Sequence, residues 1–117
     1  MTSIKLEEKQ IEIGGKVYTL HVNMSVLDRL QEANGGEIGN WLKKPAREVV
    51  VETMAVMLND WAEDHGWEEE WTPRKVKKTF TLADIRELDV LGMLSRAMNP
   101  PKKENTKEAE PAEETGN

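Results

Sequence analysis

Residues 49–61 read VVVETMAVMLNDW, and this stretch decides the fold. Its apolar members are Val49, Val50, Val51, Met54, Ala55, Val56, Met57, Leu58 and Trp61. They cover most of a helical wheel, and a helix of this kind is central in its fold or is buried by a second subunit. We predict a helix over residues 45–64, with Pro45 in its first turn and His65-Gly66 at its end.

The segment before this helix has the pattern of a β-hairpin. Apolar and polar residues alternate from Ile4 to Ile13 and again from Val17 to Val22, with two glycines between the runs. Two alternating runs around such a pair predict a hairpin over residues 4–22. Because two strands alone are marginally stable in water, this hairpin must pack on helices or pair with another chain.

Two shorter helices are marked by residues that favour helix starts. Ser25 has the residue type of an N-cap and predicts a helix over residues 25–33, which Asn34-Gly35-Gly36 would end. Thr72-Pro73 joins a capping residue to a first-turn proline and predicts a basic helix over residues 73–78.

The last helix is followed by an abrupt change of composition. Thr81 and Asp84 have the spacing of a capping box, and the apolar residues after them predict one helix over residues 82–98. Residues 99–117 contain five glutamates and no apolar side chain larger than alanine, which is too little to offset the entropy of ordering. We therefore predict one globular domain over residues 1–98 and a disordered acidic tail. The fold class is α+β, mostly helical, with the N-terminal β-hairpin packed on about four helices.

Composition argues against several classes of protein. The chain has 117 residues and a net charge of -6, and this acidity opposes a general affinity for nucleic acid. It has no cysteine, so disulfides, thiolate catalysis and Cys-based zinc sites are excluded. The first ten residues lack the apolar stretch of a signal peptide, and no window approaches the about 18–20 apolar residues of a membrane span. These features predict a cytoplasmic protein.

Few residues suggest catalysis or a bound cofactor. His21 and His65 fall in different predicted elements, and Asp60 and Asp64 share a helix face only near its fraying end. Neither glycine pair is followed by the Lys-Ser/Thr of a phosphate-binding loop. We predict that the chain is not an enzyme and has no catalytic, cofactor-binding or metal-binding residue.

Tryptophans and wide apolar faces direct attention to protein binding. Trp41 and Trp61 are expected in the core, whereas Trp67 and Trp71 flank three glutamates in a predicted loop. These two could cover the core or contact a partner, because tryptophan is enriched in both places. The apolar face of the last helix also widens after Val90. The predicted partner-binding residues are Trp67, Trp71, Val90, Leu91, Leu94 and Met98.

Charge is unevenly distributed along the chain. Residues 60–70 hold six acids and no base, and residues 74–78 hold four bases. A solvated surface with local ion pairs is the ordinary interpretation, and a charged docking strip is the functional one. Only Phe80 lies beside the basic segment to stack on bases, so nucleic-acid binding is not expected.

The order of these parts resembles the small tail assembly chaperones of long-tailed, siphophage-type bacteriophages and prophages. The hairpin IEIGGKVYTL at residues 11–20 leads directly into a helix. A glycine-flanked segment, the long apolar helix, a last helix ending near residue 98 and a polar tail follow. In that family a ribosomal frameshift often makes a longer product, and Pro100-Pro101-Lys102 can be encoded by a slippery run at the corresponding place.

The resemblance implies a function. Such chaperones coat the aggregation-prone tape measure protein in the bacterial cytoplasm before the tail tube polymerises, and they are absent from the mature virion. It implies self-association, the tape measure protein as client, and a frameshifted longer form as a further partner. Two other classes stay open: a head–tail connector or other minor structural protein, and a small regulator that binds nucleic acid.

Overall fold

The computed structural model describes residues 7–98, which form two strands and six helices. In chain order these are β1 (Glu8–Ile13), β2 (Lys16–His21), α1 (Met24–Ala33), α2 (Ile38–Leu42), α3 (Ala46–Asp64), α4 (Pro73–Thr79), α5 (Leu82–Leu88) and α6 (Val90–Met98). The predicted α+β, mostly helical fold with an N-terminal hairpin is confirmed. The predicted start of the hairpin at residue 4 and the predicted disordered tail lie outside the described residues.

The hairpin is closed by a two-residue turn. Gly14 and Gly15 have φ values of 57° and 82°, and a type I′ turn requires this left-handed conformation at both central positions. Ile13 therefore pairs with Lys16, and the strands are antiparallel. The residues of β1 are alternately exposed and half-buried, whereas Tyr18–Leu20 in β2 is fully buried. β2 is thus the inner strand, and β1 forms the outer edge.

Helix α3 is the centre of the molecule. It packs against β2, α1, α4 and α6, and most of its residues between Val49 and Leu58 are buried. The other large buried side chains come from every neighbouring element: Tyr18, Leu20, Val26, Leu30, Trp41, Val76, Val90 and Met93. The apolar run is therefore covered by its own chain. Of the two alternatives that the wheel pattern left open, the central helix is the one observed.

The start of α1 differs from the prediction. Asn23 is the N-cap, and its side-chain oxygen accepts a hydrogen bond from the Val26 backbone N–H at 2.9 Å. Ser25 lies inside the helix, where its hydroxyl donates to Asp60 of α3 at 2.7 Å. Asn and Ser both favour the N-cap position. Because Ser25 bonds to α3, Asn23 takes that position.

The predicted starts of α4 and α5 agree with the structure, whereas the predicted place of Pro45 does not. The Thr72 hydroxyl accepts from the Lys75 N–H at 3.1 Å, and Pro73 lies in the first turn of α4. Thr81 and Asp84 form the predicted capping box, with bonds of 3.1 and 3.0 Å. Pro45 precedes α3 and does not lie in its first turn.

The prediction of one continuous helix over residues 82–98 is wrong. The chain bends at Asp89, which has the left-handed conformation φ 53°, ψ 51° and separates α5 from α6. Leu88 and Val90 are both buried. Two residues two positions apart point to nearly opposite sides of a straight helix, so only a bend lets both reach the core. Neither these helices nor any other within residues 7–98 could cross a membrane.

Candidate protein-binding grooves

Helix α5 is a ridge between two grooves of about 580 Å³ each. Leu82 and Ile85 line the groove on one flank, and Asp84, Glu87 and Leu88 line the groove on the other. The α3 groove is formed by Ala46, Arg47, Val50, Val51, Lys77, Phe80, Leu82, Ile85 and Leu91. The β1 groove is formed by Lys9, Gln10, Ile11, Glu12, Phe80, Asp84, Glu87 and Leu88.

The α3 groove has an apolar interior. Val50 and Val51 of α3 are buried and form its floor. Leu82 and Leu91 line it while remaining 54% and 45% exposed, which is high for large apolar side chains. Concave apolar surfaces with exposed leucines are typical of sites that receive an apolar side chain from a partner.

The rim of the α3 groove is positively charged. Among the described residues that line it, the charged ones are Arg47 and Lys77, and both are basic. Further cations on the same two elements or just before α3 are Lys43, Lys44, Arg74, Lys75 and Lys78. Lys44 is paired with Glu52 at 3.3 Å. Over residues 43–52 and 73–79 seven bases outnumber two glutamates, so this part of an acidic chain is basic and complements a partner that carries carboxylates.

The predicted partner-binding residues are not all at the surface. Leu91 is exposed and lines the α3 groove. Trp71, Val90 and Leu94 are only 3%, 1% and 2% exposed, so the core of this fold already uses them. Trp67 and Met98 are half-buried against that core. This placement supports a partner contact by Leu91. It does not support one by the three buried side chains, Trp71, Val90 and Leu94.

Trp71 is fixed by the backbone as well as by packing. Its N–H donates to the Asn59 side-chain oxygen at 2.7 Å, and its carbonyl accepts from the Asn59 amide at 2.8 Å. Trp67 packs edge-on against Tyr18, with ring centroids 5.1 Å apart, and Lys16 lies over its ring. The loop between α3 and α4 thus packs over the hairpin. Of the two roles that the sequence left open for these tryptophans, this is the one of covering the core.

The important groove residue that sequence analysis missed is Leu82. Leu82 and Leu91 lie nine positions apart, which on a straight helix places them on opposite sides. The bend at Asp89 brings both to the α3 groove. A periodic pattern could not reveal this pair, because the pattern assumes a continuous helix.

Polar groups near the end of α3 have structural partners. Asp60 accepts from Ser25 and lies 3.4 Å from the Arg29 guanidinium, so it is part of the contact between α1 and α3. His65 stacks on Trp61 with ring centroids 4.1 Å apart. Within residues 7–98, no three histidines or carboxylates converge as metal ligands would.

Glu69 is the most strongly engaged carboxylate of the loop between α3 and α4. It accepts from Lys16 at 2.6 Å and from the Tyr18 hydroxyl. The hydrogen bond from Lys16, followed by that from Tyr18, lowers the pKa of Glu69. Burial, followed by the bond to Glu69, raises the pKa of Tyr18. These groups anchor the loop on the hairpin.

Comparison of the chain with protein families, with characterised proteins and with solved structures found no match.

Proposed function

We propose that this chain is a phage tail assembly chaperone, which binds and solubilises the tape measure protein during tail assembly. The observation that carries the proposal is the α3 groove, in which exposed Leu82 and Leu91 stand over the buried floor of Val50 and Val51. The architecture that resembles this family adds support, since the hairpin followed by a central apolar helix is the observed fold.

The shape of the α3 groove suits an amphipathic helix. Helices bind in such grooves by inserting apolar residues spaced at i, i+3, i+4 and i+7. A long coiled-coil protein displays many stripes of this kind, and they cause aggregation until they are covered. A small domain that covers one stripe, and that carries a net charge of -6, would keep such a client in solution.

The basic rim of the α3 groove favours acidic residues on the flanks of the bound helix. Arg47 and Lys77 border the groove, so a client stripe with glutamate or aspartate beside it gains charge-assisted contacts. Apolar burial provides the strength of the contact, at about 25 cal/mol per Å² of surface removed from water. The charges select the stripe and speed its association.

The test is co-expression of this chain with the long, helical protein encoded next to it. We expect the client to be soluble with the wild-type chain and less soluble with Leu82→Ser or Leu91→Ser. Met24→Ser is the matched control, because Met24 is 70% exposed and lies outside the α3 groove. Trp67→Ala tests the half-buried tryptophan, whereas Trp71→Ala would damage the core.

Two outcomes would overturn the proposal. Client solubility that does not depend on this chain removes the chaperone function. Purified virions that contain the chain in stoichiometric amounts would make it a connector or another structural protein. If only the leucine changes have no effect, the α3 groove is not the contact surface.

A nucleic-acid-binding regulator is the second candidate, and helix α4 favours it. Val76 is buried while Arg74, Lys75, Lys77 and Lys78 are exposed, so the bases form an open basic face. Binding of this kind weakens steeply with salt, because cations are released from the phosphates. Fluorescence anisotropy with labelled duplex and single strands would detect it. Lys78→Glu should weaken it, and Leu91→Ser should not.

A further inference from the structure

The β1 groove exposes the edge of a strand. Four consecutive residues, Lys9, Gln10, Ile11 and Glu12, line it. Successive side chains of a strand point to opposite faces, and this run includes residues of both faces. The groove therefore reaches the edge of the strand. This is the outer edge of β1, because its other edge pairs with β2.

The outer edge of β1 has backbone groups available for hydrogen bonding. In a hairpin with a two-residue turn, the residues that flank the turn form a hydrogen-bonded pair, and such pairs alternate with non-bonded ones. With Ile13 paired to Lys16, the residues of this groove that direct N–H and C=O outward are Gln10 and Glu12. Within residues 7–98, neither forms a backbone hydrogen bond beyond the β1–β2 ladder.

The walls of the β1 groove combine an apolar base with acidic sides. Phe80 is half-buried and Leu88 is buried, and both line the groove beside β1. Glu12, Asp84 and Glu87 are exposed carboxylates around them, and Lys9 is the one base among the described residues that line the groove. This charge repels nucleic acid and favours a cationic ligand. The α3 groove on the other flank of α5 has the opposite charge.

We infer that the β1 groove binds an extended segment of a protein partner, in which apolar and basic residues alternate, as an added strand on β1. Main-chain bonds to Gln10 and Glu12 would supply affinity that does not depend on sequence. Alternate apolar residues would pack on Phe80 and Leu88, and lysine or arginine would face the carboxylates of α5. The site lies on a different flank of α5 from the α3 groove, so it does not depend on the proposed function.

The probe is a capped heptapeptide of alternating lysine and valine, titrated into the full-length protein at low salt. We expect binding to slow amide hydrogen exchange at Gln10 and Glu12. Two N-methylated versions carry the methyl groups on alternate residues. The version that removes the donors facing β1 should lose binding, and the complementary version should keep it, because a strand presents only every second N–H to its neighbour.

Charge is tested with two matched variants. Glu87→Lys should weaken peptide binding about fivefold at low salt, whereas Glu70→Lys changes the net charge equally but lies outside the groove and should have little effect. Both glutamates are exposed, so both variants should fold. Equal loss of binding in the two variants, or unchanged exchange at Gln10 and Glu12, would overturn the inference. So would loss of peptide binding in Leu82→Ser, since that result places the peptide in the α3 groove.

Discussion

Three consecutive glutamates, Glu68 to Glu70, have different roles although the sequence presents them as one acidic run. Glu69 turns inward to Lys16 and Tyr18, while its two neighbours are exposed. Its carboxylate holds the loop over the hairpin, and this places Trp67 against the Tyr18 ring. One residue thus links the acidic loop to the β-sheet.

This link makes stability depend on pH. The pKa of Glu69 is lowered in the folded chain, so the unfolded chain binds more protons as the pH falls toward the folded pKa. The stabilisation by Glu69 is therefore present above its ordinary pKa of 4.5 and is lost as the pH falls from there through the lowered pKa of the folded chain. We expect Glu69→Gln to be less stable at neutral pH and to show a shallower loss of stability below about pH 5.

The measurement is urea unfolding at several pH values. Glu68→Gln is the control, because it removes an exposed carboxylate from the same loop and should leave the slope with pH nearly unchanged. If Glu69→Gln keeps the wild-type dependence on pH, the contact with Lys16 and Tyr18 does not contribute to stability.

The two loop tryptophans show what single residues reveal from sequence. Their large apolar area predicts burial or a contact, and nothing in the adjacent glutamates separates the two outcomes. Trp71 is held in its buried position by two backbone hydrogen bonds to the Asn59 side chain, twelve positions earlier in α3. Such a long-range pair leaves no local pattern, so the placement of Trp71 required the structure.

At the level of elements, the bend at Asp89 matters most for the candidate site. The bend is strained, because the left-handed conformation is unfavourable for residues other than glycine. Among those residues, Asn and Asp tolerate it best. Burial of both Leu88 and Val90 offsets that strain. Arg96 adds a hydrogen bond to the Asp89 carboxylate at 3.2 Å and also binds Glu7. The hydrogen bonds to Glu7 and then Asp89 raise the pKa of Arg96, which stays charged.

We predict that Asp89→Ala destabilises the fold by about 1 kcal/mol, because alanine tolerates the left-handed conformation poorly. Asp89→Asn keeps that tolerance and should cost less. Urea unfolding of the two variants gives the comparison. Equal stability of Asp89→Ala and wild type would show that the bend is not strained.

Local signals account for the elements that were predicted well. The double glycine, Thr72-Pro73 and the Thr81–Asp84 pair each carry the hydrogen bond or backbone conformation that starts or ends an element. Tertiary packing accounts for the failures. Ser25 is drawn to Asp60, and the apolar pattern through residue 89 gives no sign of a bend. The α3 groove depends on that bend, so its pairing of Leu82 with Leu91 could not be predicted.

At the scale of the whole molecule, residues 7–98 form a packed domain by themselves. Helix α6 packs on α3, and Arg96 near its end binds Glu7 beside β1 at 2.7 Å. The composition of residues 99–117 offers almost no apolar area to add. We predict that a chain ending at Met98 keeps the melting temperature of the full chain within a few degrees. A large decrease, measured by circular dichroism, would show that these residues pack on the domain.

Self-association also belongs to this scale, and the structure changes the reason for expecting it. The apolar run from Val49 to Leu58 is covered within one chain, so it needs no second subunit. Leu82 and Leu91 remain exposed, and the α3 groove can take an apolar stripe from a client or from a second copy. We predict species heavier than a monomer in sedimentation at micromolar concentration. They should dissociate when an acidic amphipathic helix peptide occupies the groove.

Variants distinguish association through the α3 groove from nonspecific apolar association. Combined Leu82→Ser and Leu91→Ser should shift sedimentation to the monomer, because the change removes the exposed apolar walls of the groove without touching its buried floor. Met24→Ser removes a more exposed apolar side chain elsewhere and should leave the association intact. A wild-type chain that sediments as a monomer throughout the micromolar range would contradict the prediction. The α3 groove would then be free for the client in the isolated protein, and client binding would be measured without competition from a second copy.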